Sequence, residues 1–301
     1  MSNNLPLGET PIEKPIELPD DVFQSFRDLM YEQSGVVLDE RAKYFIENRL
    51  VHSIRRLQLE SFRDYYYYLK YDRRKDEELA NMIDLLTIHE TYFFREENQL
   101  KSFSEELLPE IAVRKQNDRT LRIWSAGCST GEEPYTISML LSEREEFRNW
   151  TIEIFATDIS QRVLQSARRG LYQPSAFRTT DPKYMNKYFK KEESAYRIAD
   201  EIKKNVIFLH LNLLDTNRLS FINPMDIIFC RNVIIYFDTP SKRKLIETFH
   251  GKLKDKGYLL LGHSESLINI STAFALRHFL HDMLYQKQER SPAAAEVKRG
   301  G

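Results

Sequence analysis

The stretch Ile123-Trp124-Ser125-Ala126-Gly127-Cys128-Ser129-Thr130-Gly131-Glu132-Glu133-Pro134 decides the reading of this chain. Its apolar start reads as a strand. Gly127 and Gly131 make a turn in which a ligand can approach the backbone, because glycine has no Cβ and tolerates positive φ. Pro134 suits the first turn of a helix, where its missing N–H costs nothing. The spacing fits neither G-x-G-x-x-G nor the P-loop, which needs a Lys followed by Ser or Thr. Glu132 and Glu133 stand where a pyrophosphate would meet the bare N–H groups of a helix N-terminus, and they would repel it. A ligand with an ammonium and a sulfonium in place of phosphates would be attracted there, and S-adenosylmethionine is such a ligand.

Outward from this loop, short runs rich in Val, Ile, Leu and Phe alternate with helical segments. The runs 121–125, 152–157, 206–211, 226–230 and 258–262 are the expected strands, and 134–144, 161–169 and 241–253 the expected helices. That alternation predicts an α/β fold with a mostly parallel, Rossmann-like sheet, and 274–286 offers a closing pair of strands. Before it, 20–90 is nearly glycine-free with apolar residues at helical spacing, which predicts an all-helical domain. The connection 170–205 exceeds the usual few residues and predicts a small inserted subdomain. The expected organisation is a flexible leader over 1–19, a helical domain over 20–90, the α/β domain over 91–288 with an insertion at 173–206, and a disordered tail over 289–301.

Composition narrows the function. Of 301 residues, 42% are apolar and 30% charged, the balance of a soluble globular protein. A net charge of −1 gives no global attraction to nucleic acid or to a membrane. Two cysteines, Cys128 and Cys230, make no disulfide framework and suit a reducing compartment. The proline-rich start lacks an apolar signal core, and no apolar run nears the roughly 20 residues of a membrane span. A cytoplasmic monomer without membrane insertion is expected.

Further candidates stand at the strand ends, where open sheets bind ligands. Asp158 closes the second run, about where an acid accepts ribose hydroxyls. Capping the next helix is its alternative, which Ser160 can supply instead. Cys230-Arg231-Asn232 follows the apolar Ile227-Ile228-Phe229, and a charge there must be paired or face a crevice.

Six stretches together resemble the CheR chemotaxis-receptor methyltransferases: 91–96 (TYFFRE), 123–134 (IWSAGCSTGEEP), 156–160 (ATDIS), 212–214 (NLL), 229–237 (FCRNVIIYF) and 261–266 (LGHSES). The resemblance runs from 23 to 286. It implies a class I S-adenosylmethionine-dependent methyltransferase fold, with an all-helical domain ahead of it and a small β-subdomain within it. The implied reaction forms methyl esters on glutamate γ-carboxylates of receptors, with S-adenosylhomocysteine as the other product. By the same resemblance Thr91 and Arg95 meet the methionine part of the cofactor, Glu132 its ammonium, Asp158 the ribose, and Asn212 and Leu213 the adenine. Arg231, Asn232 and Tyr236 stand by the reacting centre, with Arg95, Arg231 and Tyr236 as the catalytic candidates and Gly127 opening the loop. His89 departs from the family's usual Asn. A protonated imidazole there would repel the sulfonium, so cofactor affinity should fall in mild acid.

A glutamate nucleophile is already ionised at neutral pH, so no general base and no catalytic dyad are expected. Over 41–75 ten Lys/Arg face four Asp/Glu. On a helix, Ala42, Ile46, Leu50, Ile54 and Leu57 share one face, and Arg41, His52, Arg55 and Arg56 the other. A solvated face is the common meaning of such a pattern, and the resemblance favours docking of an acidic receptor helix on it. In the insertion, family members that bind a receptor's C-terminal peptide carry a Gly-rich loop. Here Lys190-Lys191-Glu192-Glu193-Ser194-Ala195-Tyr196 is glycine-free, which implies action independent of that pentapeptide. The rivals are a methyltransferase for RNA or a small molecule, and a cofactor-binding regulatory module without catalysis. A nicotinamide dehydrogenase is opposed by Glu132 and Glu133. His263 and Glu265 lack a third ligand for a metal, and no metal is expected.

Overall fold

The structure is a computed structural model that describes residues 16–220 and 222–288. The tail expected at 289–301 and most of the leader expected at 1–19 lie outside the described residues. The chain forms two compact units. One holds the described residues up to Leu29 together with Leu38–Leu86, and the other joins Met30–Val37 to the described residues from Thr87 onward.

The first unit is helical. Helix α1 (Asp20–Ser34) begins in it, and α2 (Lys43–Arg56), α3 (Phe62–Tyr71) and α4 (Lys75–Leu86) complete it. On α2, Ile46, Leu50 and Ile54 recur every four residues and are fully buried. Ser61 caps α3 by accepting from the Asp64 N–H. Tyr65, also fully buried, packs against Phe26 at 6.0 Å and donates to Glu78 of α4 at 2.7 Å, while Tyr67 of the same aromatic run is exposed.

The second unit is an α/β sandwich. In chain order it contains α5 (Glu97–Lys101), a π-helical turn (Ser102–Leu107), α6 (Leu108–Arg114), β1 (Thr120–Ala126), α7 (Glu132–Ser142), β2 (Thr151–Asp158) and α8 (Gln161–Arg169). There follow β3 (Leu171–Tyr172), α9 (Pro182–Tyr188), β4 (Phe189–Glu192), β5 (Ala195–Ile198), α10 (Asp200–Lys203), β6 (Val206–His210), α11 (Thr216–Leu219) and β7 (Met225–Cys230). Helix α12 (Thr239–Lys252) then runs without a loop into β8 (Leu253–Leu261), before β9 (Phe274–His278) and β10 (Met283–Lys287).

Seven strands form one sheet in the order β6-β2-β1-β7-β8-β10-β9. Strands β6, β2, β1, β7 and β8 are parallel, and β10 is antiparallel to both its neighbours. Every residue of β7 is buried, as expected of a central parallel strand covered on both faces. Its one charge, Asp226, is held by Lys115 Nζ at 2.8 Å and by the Arg122 N–H at 2.9 Å. The chain leaves β1 toward β2 on one side, while β7 lies on the other, so the strand order reverses between β1 and β7. Their carboxyl ends open the crevice in which such sheets bind ligands.

The inserted subdomain is a three-stranded sheet, β3-β5-β4. It starts at Leu171, ahead of the expected 173. The β4–β5 hairpin turns on Glu193 and Ser194, with Glu193 at φ +51°.

Candidate active site

A cavity of about 1040 Å³, counted out to its mouth, opens at the carboxyl ends of β1, β2 and β7. Its floor is the loop after β1. Gly127 sits at φ +83°, and a Cβ there would fall 2.4 Å from Val233 Cγ2, so only glycine fits. The Gly127 and Cys128 N–H groups both donate to the Thr157 carbonyl, at 2.8 and 2.9 Å, which pins the loop onto β2.

Helix α7 starts at Glu132. Consecutive helical residues diverge by about 100°, and the side chain that reaches the main cavity is Glu133, not Glu132. Glu132 lies in a separate polar cleft beside Tyr172 and Arg178, where its carboxylate accepts from Thr130 Oγ1 at 2.7 Å. Burial raises its pKa to about 7. Glu133 accepts from Ser125 Oγ at 2.7 Å and faces Arg231 Nη1 at 3.5 Å; burial raises its pKa, against the opposing pull of Arg231.

Asp158 ends β2 on the cavity wall. Its oxygens accept from the Ser129 N–H at 2.8 Å and the Ser160 N–H at 2.9 Å, and Ser160, not Asp158, caps α8. Each carboxylate oxygen has a second lone-pair site, so the group can still accept from a ligand. Leu213 and Asn212 follow β6; Asn212 spends its amide on Gln33 O at 2.9 Å and its carbonyl on the Leu214 N–H at 2.9 Å.

Residues 87–95 form the long side of the cavity without helix or strand. His89 Nε2 is 2.9 Å from Thr87 Oγ1, and its carbonyl accepts from Ser129 Oγ at 3.1 Å. Thr91 faces both the cavity and the polar cleft. Arg95 donates from Nη1 to Glu90 O at 2.9 Å and lies 5.6 Å from the Tyr92 ring centre.

Arg231 also lines the cavity, and three of its nitrogens meet protein oxygens. Nε reaches Glu96 Oε2 at 3.3 Å, Nη2 bonds the Arg95 carbonyl, and Nη1 faces Glu133. Its guanidinium therefore positions the Arg95–Glu96 backbone from the cavity wall. Asn232, at φ +59°, donates from Nδ2 to Glu96 Oε1 at 3.2 Å. The turn after β7 is fixed by Glu265, whose carboxylate accepts the N–H groups of Gly262, Asn232, Val233 and Ile235 at 2.7 to 3.3 Å. Tyr236 closes that turn on the cavity wall; burial raises its pKa while the nearby Arg95 charge lowers it.

Sequence reasoning named Glu133 beside Glu132 without ranking the two, and missed the roles of Glu96, Ser34 and Val36. Ser34 and Val36 reach the wall because Val36 bridges to Phe237, and Gly35 (φ +74°) turns with a missing Cβ that would fall 2.1 Å from Leu214 Cδ1. No periodicity marks so distant a partner. The chain as a ligand holder suits S-adenosylmethionine: three lining carboxylates (Glu90, Glu133, Asp158) face two guanidiniums (Arg95, Arg231). That leaves one negative charge to meet a cofactor whose ammonium, sulfonium and carboxylate sum to one positive.

The docking candidates lie on the first unit. Arg41 stands in a 3-10 turn (Glu40–Ala42) ahead of α2 and pairs with Asp39 at 2.7 Å, so it is not on the helix face. Arg56 is tied to buried Glu78 at 2.5 Å. His52 and Arg55 are exposed on α2.

Residues 89–280 match the CheR methyltransferase, SAM binding domain, and residues 21–87 the CheR methyltransferase, all-alpha domain. The sheet and its crevice are those of a class I S-adenosylmethionine-dependent methyltransferase. The chain is 38% identical over 277 residues to chemotaxis protein methyltransferase 2 of Vibrio cholerae, covering 91% of this chain and 96% of the relative. It is 37% identical over 258 residues to the chemotaxis protein methyltransferase of Borreliella burgdorferi (84% and 90%) and 34% over 285 residues to that of Escherichia coli (92% and 96%). The chain belongs to the CheR methyltransferase family. Among the described residues no helix is long and apolar enough to cross a membrane.

Proposed function

We propose that this methyltransferase esterifies the γ-carboxylate of glutamate side chains in the helical cytoplasmic region of chemotaxis receptors. The observation that carries this reading is that Arg95 and Tyr236 both line the cavity. A guanidinium and a phenol lining one cavity suit an incoming carboxylate.

When bound, the cofactor supplies an electrophilic methyl group on a sulfonium. The chain needs no base, since a glutamate of pKa about 4.3 arrives ionised. Its residues orient and shield instead. Gly127 leaves room at the loop, Glu133 and Asp158 meet positive charge and ribose hydroxyls, and Leu213 offers an apolar wall. Arg95 and Tyr236 align the carboxylate, and exclusion of water favours a reaction in which opposite charges vanish.

The exposed His52 and Arg55 support docking of an acidic helix on the first unit. The two-residue turn at Glu193 and Ser194, without glycine, supports action independent of a receptor's C-terminal pentapeptide; saturable micromolar binding of that peptide would refute it. The proposal makes the protein a cytoplasmic monomer. Incubation with methyl-labelled cofactor and receptor membranes should label the receptor in an alkali-labile form. Label that survives alkali, or that enters RNA or small molecules, would defeat the glutamate reading.

A further inference from the structure

The segment 87–95, which bears most of one cavity wall, has no ladder of its own, so its position depends on what grips it from outside. Most of the grips come from the inserted subdomain. The Phe93 N–H donates to Ala176 O at 2.9 Å, and Thr179 Oγ1 donates to Phe93 O at 3.0 Å. The Phe93 ring is fully buried, with Tyr172, Phe177 and Phe189 at centroid distances of 4.8, 5.1 and 5.0 Å. Phe94 meets Tyr184 at 4.4 Å. Those contacts seat the middle of the segment.

On its outer part Ser129 Oγ holds the His89 carbonyl and Arg95 the Glu90 carbonyl, and the subdomain adds one side chain. Arg178 donates from Nη2 to Glu90 Oε1 at 2.8 Å and lays its guanidinium 3.7 Å from the Tyr92 ring centre. Both Glu90 and Tyr92 line the cavity, and neither Phe93 nor Arg178 does. The Arg178 contacts join two neighbours of Thr91 to the subdomain across a polar cleft that Arg178 and Thr91 both line.

We infer that Arg178 is a positioning residue for cofactor binding, the latch through which the inserted β-subdomain holds the Glu90–Tyr92 wall in its binding shape. This gives the subdomain a task in every turnover that needs no receptor tether. It does not depend on which group is methylated, because cofactor affinity is the quantity it controls.

The test is titration calorimetry of S-adenosylhomocysteine with the full chain, alongside steady-state kinetics with receptor membranes. Arg178→Ala should weaken binding about five- to tenfold, the size expected from losing an exposed cation–π contact together with its ion pair. Arg178→Lys keeps the charge but not the planar stack and should fall between. Arg197→Ala is the control: Arg197 pairs with Glu192 at 2.7 Å in the same subdomain, with similar exposure, and touches neither Glu90 nor Tyr92. It should bind as wild type does. In kinetics, Arg178→Ala should raise the KM for the methyl donor at near-normal kcat. The inference is overturned if Arg178→Ala binds within twofold of wild type, if Arg197→Ala weakens binding equally, or if kcat falls at unchanged donor KM, the mark of a smaller folded fraction.

Discussion

Arg231 Nη1 lies 3.5 Å from Glu133 Oε2, and that guanidinium also bonds Glu96 and the Arg95 carbonyl, so one buried cation ties the helix after β1 to the segment that carries Arg95. Lysine presents a compact point charge on a flexible stem in place of the fixed guanidinium fork that reaches Glu96, the Arg95 carbonyl and Glu133. Arg231→Lys is expected to cut turnover about a hundredfold, through the misplacement of Arg95. Turnover within a factor of three of wild type would contradict the positioning role.

Arg95 itself should be less replaceable still. Arg95→Ala removes the guanidinium from the cavity wall, and kcat/KM should drop by about two to three orders of magnitude, the cost of a lost charge-assisted contact in a water-poor site. Methyl transfer near the wild-type rate would show that the clamp lies elsewhere.

Glu132 gives a signed pH dependence. Its folded pKa is raised from 4.5 to about 7, so the fold prefers the protonated form. Its contribution is fully present below the unfolded value and is lost as pH rises through about 7, a difference of about 3 kcal/mol at the most. Glu132→Gln keeps a neutral acceptor for Thr130 and removes the cost of burying the charge. The variant should melt higher than wild type at pH 8, and the gap should close toward pH 4.5. Parallel melting curves across that range would refute it.

At Gly127, alanine meets both a positive φ and Val233. Gly127→Ala should weaken binding of S-adenosylhomocysteine more than tenfold, since left-handed backbone alone costs about 1 to 2 kcal/mol. Adding Val233→Ala relieves the clash but not the φ, and should restore part of the loss by calorimetry. No recovery would place the defect outside the loop.

On the first unit, Arg55→Glu should raise the receptor KM while leaving cofactor affinity unchanged. Arg56→Glu is a poor probe of docking, since it would set a carboxylate against buried Glu78 and destabilise the helices by about 3 kcal/mol. A receptor KM unmoved by Arg55→Glu would remove α2 as the docking face.

The sheet was legible because strands buried on both faces need unbroken apolar runs: 226–230 could hardly be anything but a central strand, and β7 is Met225–Cys230. The helical stripe of Ile46, Leu50 and Ile54 was legible from its four-residue spacing. Where two residues compete for one role, sequence does not rank them. Glu132 and Glu133 differ by a rotation that depends on where α7 begins, and that start is set by the loop. Arg231 reads as a charge that must be paired or face the crevice, but its partners Glu96 and Glu133 are distant in sequence and were not foreseen. Helix α12 passing directly into β8 shows the limit on boundaries, since Gly251 precedes the change without opening a loop.

The cavity wall contributed by Ser34 and Val36 has a practical side. The catalytic unit is written in two pieces, 30–37 and 87–288, with three helices spliced between them. A gene fragment beginning at residue 87 would therefore encode an incomplete pocket, and a separate peptide spanning 30–37 would be the missing part to supply in trans. The same arrangement means that the helical unit can be exchanged among homologues only if the eight residues of its interruption stay matched to Leu214 and Phe237.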